Sequence, residues 1–192
     1  MITLLTVNLF MGLVVFQKKN KISEIKTGKL LNDLSLYLRG FNKSLQGIDS
    51  TVIIVLDNDD RETDSFRNQL EQVTKNNNIT IDHVFCIAVE EVEAWLLGDK
   101  EAVLKAYPKA KTQLLNSYIQ DSIIGTWERL AEIVYPGGLK KLQKESNSYS
   151  YIGAKKCEWA ENIGSYMNIE KNVSPSFKYF IKQLKDRSCL LC

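Results

Sequence analysis

The chain has 192 residues, of which 44% are hydrophobic, and a formal net charge of +2. This length suits one ordinary globular domain with at most a small appendage, and the composition is that of a soluble protein. Four cysteines without framework spacing favour a reducing cytoplasm, and a single histidine, His83, disfavours a zinc site. The acidic residues are concentrated between Asp57 and Glu101, where 12 Asp and Glu stand against 4 Lys and Arg.

The N-terminal run MITLLTVNLFMGLVVF is apolar, but it lacks the features of a membrane anchor or a signal peptide. About 15 residues interrupted by Asn8 fall short of the roughly 20 that span a bilayer. No basic residue precedes the run, and no cleavage pattern is clear. We therefore expect a buried strand or an abnormal start here, and no association with a membrane.

The middle of the sequence alternates between helical and strand patterns. Apolar residues over 22–41 recur at helical spacing, and Gly40 and Gly47 indicate the exit of this helix. The run over 51–56 is rich in β-branched residues and has no polar alternation, which is typical of a strand buried on both faces. A helix over 63–75 and a second strand over 79–89 follow. Strand, helix and strand in this order predict a right-handed parallel crossover.

Both predicted strands run directly into acidic residues. These are Asp57, Asp59 and Asp60 after the first strand, and Glu90, Glu91 and Glu93 after the second. In open α/β sheets ligands bind outside the carboxyl ends of the strands, so acidic groups at two neighbouring strand ends indicate a divalent cation site. Asp57 and Asp59 are spaced i, i+2 and can point to one cavity. Mg²⁺ suits them because it takes one or two carboxylates together with waters and phosphate oxygens.

The same acidic residues have ordinary structural explanations. Asp57 and Asp60 can form a turn or cap the helix that follows them. Glu91 and Glu93 can lie in the first turn of a helix, where the helix dipole favours acidic side chains. These alternatives remain open at the level of the sequence.

After residue 100 the pattern is mostly helical. The predicted helical segments are AVLKAY, TWERLAEIV, KCEWAENIGSYM and SPSFKYFIKQL. Ser174 followed by Pro175 is a typical helix start, a capping hydroxyl and then a ring already fixed at the helical φ. Lys155 and Lys156, in YIGAKKCEWA, either contact a phosphate or are simply exposed to solvent.

Five segments together resemble a known family. They are VIIVLDNDD, IAVEEVEAWLLGD with the following AYP, GTWERLAEIVYPGG, KKCEWAENIGSYM and NVSPSFKYF. Over about residues 22–185 the chain resembles an uncharacterised bacterial family with a Toprim-like fold. The resemblance implies an α/β core over 1–100, with a small parallel sheet flanked by helices. It also implies a helical C-terminal extension over 101–192, packed on that core.

Toprim domains bind Mg²⁺ through a Glu after the first strand and an Asp-x-Asp after a later strand, and the metal supports phosphodiester chemistry. By this resemblance Asp57 and Asp59 form the Asp-x-Asp, while Glu91, Glu93 and Asp99 fall in an acidic helix motif. The implied activity is that of a Mg²⁺- or Mn²⁺-dependent nuclease in anti-phage defence. Its implied partners are a nucleic acid and an ATPase-type defence subunit. The expected roles are catalytic for Asp57, Asp59 and Glu93, metal-binding for Asp57, Asp59 and Glu91, and phosphate-binding for Lys155 and Lys156.

The sequence departs from the Toprim pattern at its N-terminus. The run MITLLTVNLFMGLVVF has no acidic residue where a Toprim domain has its Glu-Gly pair. Either the chain begins downstream of the family's usual start, or this member has lost catalysis and binds a partner protein or a nucleic acid instead. A haloacid-dehalogenase-like phosphatase also has an Asp-x-Asp after a strand. It is a weaker alternative, because Asp60 and Arg61 follow here instead of Thr or Val.

Overall fold

The computed structural model of the chain describes residues 2–8, 12–17, 27–122, 125–146 and 148–188. In chain order the elements are β1 (Ile2–Asn8), β2 (Gly12–Gln17), α1 (Thr27–Ser44), β3 (Ser50–Asp57), α2 (Thr63–Asn76) and β4 (Asp82–Ala88). The following helices are α3 (Glu93–Leu97), α4 (Lys100–Ala106), α5 (Thr112–Asn116), α6 (Thr126–Val134), α7 (Gly138–Glu145), α8 (Tyr149–Gly164) and α9 (Pro175–Ser188). The protein is therefore of mixed α/β class with a helical C-terminal part, as predicted.

The four strands form one sheet in the order β2-β1-β3-β4. β3 and β4 are parallel and are connected through α2, so the crossover is parallel as predicted. β1 runs antiparallel to both of its neighbours, with Leu5 opposite Val15 on β2 and Ile53 on β3. The small parallel sheet that was predicted therefore consists of β3 and β4, and β1 and β2 extend it with antiparallel pairs. β1 and β2 are separated by three residues, and a parallel pair needs a crossover of about a dozen or more.

The first predicted helix is confirmed in type but not in its ends. Its predicted residues 22–26, including Glu24, lie outside the described part of the chain. At the other end α1 continues through Gly40 to Ser44, so of the two glycines predicted at the helix exit, Gly40 and Gly47, only Gly47 follows the helix. A Cβ atom at Gly40 would meet nothing within 4 Å, which places no local demand on the backbone there. Gly47, with φ +78°, lies in the turn that follows.

The chain divides into two compact units. The first contains the described residues up to Ile87 together with those from Gln183 onward, and the second is Ala88–Lys182. The boundary predicted at residue 100 falls in α4, inside the second unit. None of the described helices is both long enough and apolar enough to cross a bilayer.

The core of the first unit is built on β3. Val52, Ile54 and Leu56 of this strand are at most 1% exposed, as the run without polar alternation predicted. The buried residues that pack with them come from α1, α2 and β4: Leu34, Leu38, Phe66, Leu70, Phe85 and Ile87. Cys86 is fully buried, and burial raises the pKa of its thiol to about 11. It therefore packs as a small apolar side chain, in agreement with its place in an apolar run.

The second unit has its own core, formed by α3 to α8. Its members include Leu97, Val103, Leu115, Leu130, Trp159 and Ile163. Beside this core the indole of Trp95 stacks on Phe180, with 5.1 Å between ring centroids, and meets Phe177 edge-on. The predicted helix start after residue 173 is also observed, because the Ser174 hydroxyl accepts a hydrogen bond from Phe177 N at 3.2 Å.

Candidate functional site

The acidic loop after β3, residues 57–60, begins at the carboxyl end of a parallel strand. Asp57 is the last residue of β3 and is partly buried. The next residue, Asn58, is 2% exposed, and its amide donates to Arg61 O at 2.8 Å and to Thr63 Oγ1 at 2.9 Å. Because the buried Asn58 side chain joins the loop to the start of α2, the loop has a fixed shape.

The central residue of the loop, Asp59, has a left-handed backbone with φ +51°. Its side chain is 58% exposed, and Arg61 Nη1 donates to its carboxylate at 2.9 Å. The guanidinium also lies 4.8 Å from the centroid of the Phe66 ring. The Arg61 guanidinium is thus held in place by packing against Phe66 as well as by the charge of Asp59. Asp60 is exposed.

Helix α2 is not capped by the residues that the sequence suggested. Its N-cap is Glu62, whose carboxylate accepts hydrogen bonds from Asp64 N at 2.9 Å and Ser65 N at 2.6 Å. These bonds lower the pKa of Glu62. The capping role considered for Asp57 and Asp60 therefore belongs to Glu62, and the turn role considered for the same two residues stays a prediction.

The acidic residues after β4 lie in the second unit, and the first of them serves the start of a distant helix. Glu90 is 8% exposed and has φ +64°. Its carboxylate accepts from Gly125 N at 2.9 Å, from Thr126 N at 2.7 Å and from the Thr126 hydroxyl. These donors belong to the N-terminus of α6, where free N–H groups and the helix dipole favour a carboxylate. No pattern in the sequence around Glu90 predicts this role.

Glu91 and Glu93 share one ammonium group. Lys156 Nζ lies 2.9 Å from Glu91 Oε1 and 3.3 Å from Glu93 Oε1, and it lies 5.9 Å from the centroid of the Trp127 ring. Glu93, the first residue of α3, has a side chain only 3% exposed. Burial raises the pKa of Glu91 to about 7, although the charge of Lys156 opposes this effect. Burial also raises the pKa of the neighbouring Glu128.

The two lysines predicted to contact phosphate have different surroundings. Lys156 is bound to the two glutamates, whereas Lys155 donates to Glu158 at 2.7 Å. Consecutive residues of a helix point about 100° apart, so α8 directs the two side chains to different places. The structure does not bring Lys155 and Lys156 together as one phosphate clamp.

Asp99 of the acidic helix motif has a structural role. It is 3% exposed and caps α4, with its carboxylate accepting from Ala102 N at 3.0 Å and from Asn168 N at 2.8 Å. The preceding Gly98 is equally constrained, since a Cβ atom there would lie 2.8 Å from Asn172 Cγ. Both residues fix the loop between α8 and α9.

The acidic residues predicted to form the metal-dependent site divide between the two units: Asp57 and Asp59 belong to the first, and Glu91, predicted to bind metal, and Glu93, predicted to be catalytic, belong to the second. Among the side chains that the structure describes, no three His, Cys, Asp or Glu residues are grouped so as to hold a metal ion. Asp57 and Asp59 suit Mg²⁺ as a pair, because this ion takes as few as one or two carboxylates. Glu91 and Glu93 already have a cation, the Lys156 ammonium.

These features define a mixed α/β protein with an acidic loop at the carboxyl end of a parallel strand and a helical C-terminal part. The chain belongs to the family described as a domain of unknown function (DUF4276), which it matches over residues 11–185. β1 precedes the matched residues. No curated protein and no solved structure matches the chain.

Proposed function

We propose that this protein is a bacterial, Toprim-like, metal-dependent phosphodiesterase that acts on nucleic acid in the cytoplasm, in anti-phage defence. Asp57 and Asp59 would hold Mg²⁺ or Mn²⁺. The observation that carries the proposal is the acidic loop 57–60, which follows the carboxyl end of β3 beside the parallel β4. This is where open α/β sheets bind their ligands.

Three features of the loop support this proposal. Asn58 closes the loop from inside through two hydrogen bonds, and Glu62 caps α2. Asp57 is the last residue of β3, and Asp59, two residues further on, has a left-handed backbone. Left-handed non-glycine residues are concentrated at functional sites. A bound divalent ion would supply charge stabilisation at a phosphoryl oxygen and orient the substrate.

A second candidate function, a non-catalytic Toprim-like subunit, is favoured by the composition of β1. This strand pairs with β3, and its sequence, ITLLTVN, contains no acid. A Toprim catalytic site uses a glutamate after the first strand, so its absence here removes one expected ligand. In this alternative the protein would bind a nucleic acid or an ATPase-type partner without cleaving anything. The predicted roles of Glu91 and Glu93 remain predictions in both cases.

Calorimetric titration of the full chain with Mn²⁺ and Mg²⁺ tests the proposal, with nuclease activity assayed on the same samples. The variant is Asp57→Asn/Asp59→Asn. Its matched control is Asp49→Asn/Asp64→Asn, which removes the same charge from exposed positions. Asp49 precedes β3 at the opposite end of the strand, and Asp64 lies in the first turn of α2.

The wild type and the control should bind the metal and cleave nucleic acid, while the variant should bind at least about tenfold more weakly and lose cleavage. Metal binding without cleavage in the wild type would support the non-catalytic alternative with an intact metal loop. If the wild type does not bind either ion, the proposal is wrong.

A further inference from the structure

The second unit contains a groove of about 570 Å³ that has no part in the metal loop. We call it the Tyr-Pro groove. It is lined by two tyrosines, three lysines and a glutamate: Tyr107, Tyr135, Lys109, Lys141, Lys155 and Glu158. The buried Trp159 also contributes to its wall. Its volume is in the range of about 300–1,000 Å³ that small-molecule sites occupy.

Two helices end in the same dipeptide at this groove. α4 is followed by Tyr107-Pro108, and α6 is followed by Tyr135-Pro136. A residue before proline is driven out of the helical region, and both tyrosines have left it, with ψ of 80° at Tyr107 and 132° at Tyr135. The same local rule therefore ends both helices and leaves a tyrosine in the groove each time.

The hydroxyl end of each tyrosine is already bonded. Tyr107 Oη accepts from Asn162 Nδ2 at 3.0 Å. Tyr135 Oη donates to the Glu145 carboxylate and lies 3.3 Å from Tyr151 Oη. These hydrogen bonds fix the positions of the two phenol rings. A molecule in the groove would therefore contact the faces of the tyrosine rings rather than their hydroxyl groups.

Two lysine ammonium groups of the groove can meet an anion. In and beside the lining, Lys109, Lys141 and Lys155 stand against Glu158 and against Glu145, which lies 3.7 Å from Lys141 Nζ. The C-termini of α4 and α6 add roughly one negative charge between them, so the attraction for an anion depends on the exposed ammonium groups of Lys109 and Lys141 rather than on a net positive charge. Lys109 and Lys141 are exposed, and Lys141 Nζ is no closer than 3.7 Å to its helical neighbour Glu145. Both ammonium groups are thus accessible to a ligand.

We infer that the Tyr-Pro groove binds single-stranded nucleic acid, with phosphates on the lysines and a base stacked on Tyr107 or Tyr135. Aromatic rings interleaved with lysines are how proteins hold unpaired strands, because every base has a π-face. A duplex does not offer its bases for such stacking. This inference deepens the proposed function and rests on it for the class of substrate.

The test is fluorescence anisotropy of a labelled oligothymidylate with the full chain, in EDTA, over a range of salt concentrations. The variant is Lys109→Ala/Lys141→Ala. Its control, Lys140→Ala/Lys144→Ala, removes the same charge from exposed residues of α7 that do not line the groove. A second comparison changes the ligand instead, using an abasic oligonucleotide of equal length, a duplex and a polyglutamate peptide of matched charge.

We expect the variant to bind at least about tenfold more weakly than the wild type near 100 mM salt. The slope of log affinity against log salt should fall by about 1.4, since each phosphate contact on a single strand contributes about 0.7. The control should change affinity less than about threefold. The abasic oligonucleotide should bind about tenfold more weakly, because stacking is worth that much or more per base.

Equal loss of binding in the variant and the control would overturn the inference. So would equal affinity for the abasic, duplex or polyglutamate ligands, since each would show that the tyrosines take no part. Because EDTA removes divalent ions, this binding measurement does not depend on a metal ion at Asp57 and Asp59. Failure of the groove is therefore distinguishable from failure of the metal loop.

Discussion

Replacing Glu91 with glutamine should make the free energy of unfolding less dependent on pH. Glu91 Oε1 is paired with Lys156 at 2.9 Å, yet Glu91 Oε2 is buried and has no hydrogen-bond partner among the described residues. Burial raises the pKa of this carboxyl from its ordinary 4.5 to about 7. The folded protein therefore binds the Glu91 proton more tightly than the unfolded chain does. Stability from this group is present below pH 4.5 and is lost as the pH rises through about 7.

The magnitude follows from the two pKa values. Between pH 5 and pH 8 a carboxyl with these values lowers the free energy of unfolding by about 2.5 kcal/mol. The Glu91 side chain is 21% exposed, so water screens part of this effect. We take about 2 kcal/mol as the expected contribution. Glutamine resembles the protonated form of Glu91, and Lys156 keeps Glu93, 3.3 Å away in the wild type, as a charged partner.

The measurement is urea denaturation of the wild type and Glu91→Gln at pH 5 and pH 8, in EDTA. We expect similar free energies of unfolding at pH 5 and an advantage of about 2 kcal/mol for Glu91→Gln at pH 8. Glu161→Gln is the matched control, because Glu161 is an exposed glutamate on α8. Its pH dependence should equal that of the wild type.

Two results would refute this reasoning. If Glu91→Gln and the wild type lose stability equally between pH 5 and pH 8, Glu91 does not titrate in that interval. If Glu91→Gln is the less stable protein at pH 8, the ion pair with Lys156 outweighs the burial of the carboxylate. The charged form would then be the one that the fold prefers.

Two further substitutions test the contacts that hold the second unit together. Gly98→Ala would place a Cβ atom 2.8 Å from Cγ of the fully buried Asn172. We expect the free energy of unfolding to fall by about 3 kcal/mol, which calorimetry would record as a fall in Tm of roughly 10 °C. Gly164→Ala, where a Cβ would meet nothing within 4 Å, should leave Tm unchanged or raised, and equal effects of the two changes would contradict the argument. Glu90→Gln turns an amide N–H₂ toward the N–H donors at the start of α6. The free energy of unfolding, measured by urea denaturation, should fall by about 2 kcal/mol. If the variant is as stable as the wild type, these hydrogen bonds make no net contribution to stability.

The elements with strong local patterns could be predicted closely from the sequence. The strand expected over 51–56 is observed as Ser50–Asp57, and the segment TWERLAEIV forms α6 at Thr126–Val134. Both depend on periodicity and on residue types within the element itself. The antiparallel direction of β1 could not be predicted from patterns within the strand. Strand pairing is set by connections and by partners far along the chain, and β1 pairs with residues almost 50 positions away.

The roles of individual acids were harder to predict for the same reason. A carboxylate is equally suited to cap a helix, to bind a metal or to pair with a lysine. Glu62, rather than Asp60, caps α2, although both lie just before the helix. Glu90 bonds to Gly125 and Thr126, more than 30 residues away, and no pattern near Glu90 indicates this.

The segment EVEAWLLGD, which the family resemblance identified as an acidic helix motif, owes much of its composition to packing. Glu93 pairs with Lys156, and Trp95 Nε1 donates to Ser176 Oγ at 2.9 Å. Gly98, which has no side chain, leaves room for the side chain of Asn172. Asp99 then caps α4. Since each of these side chains has a structural partner, the presence of the motif is weak evidence for chemistry at α3. The case for catalysis therefore depends on the loop after β3, where the Asp59 side chain is more than half exposed.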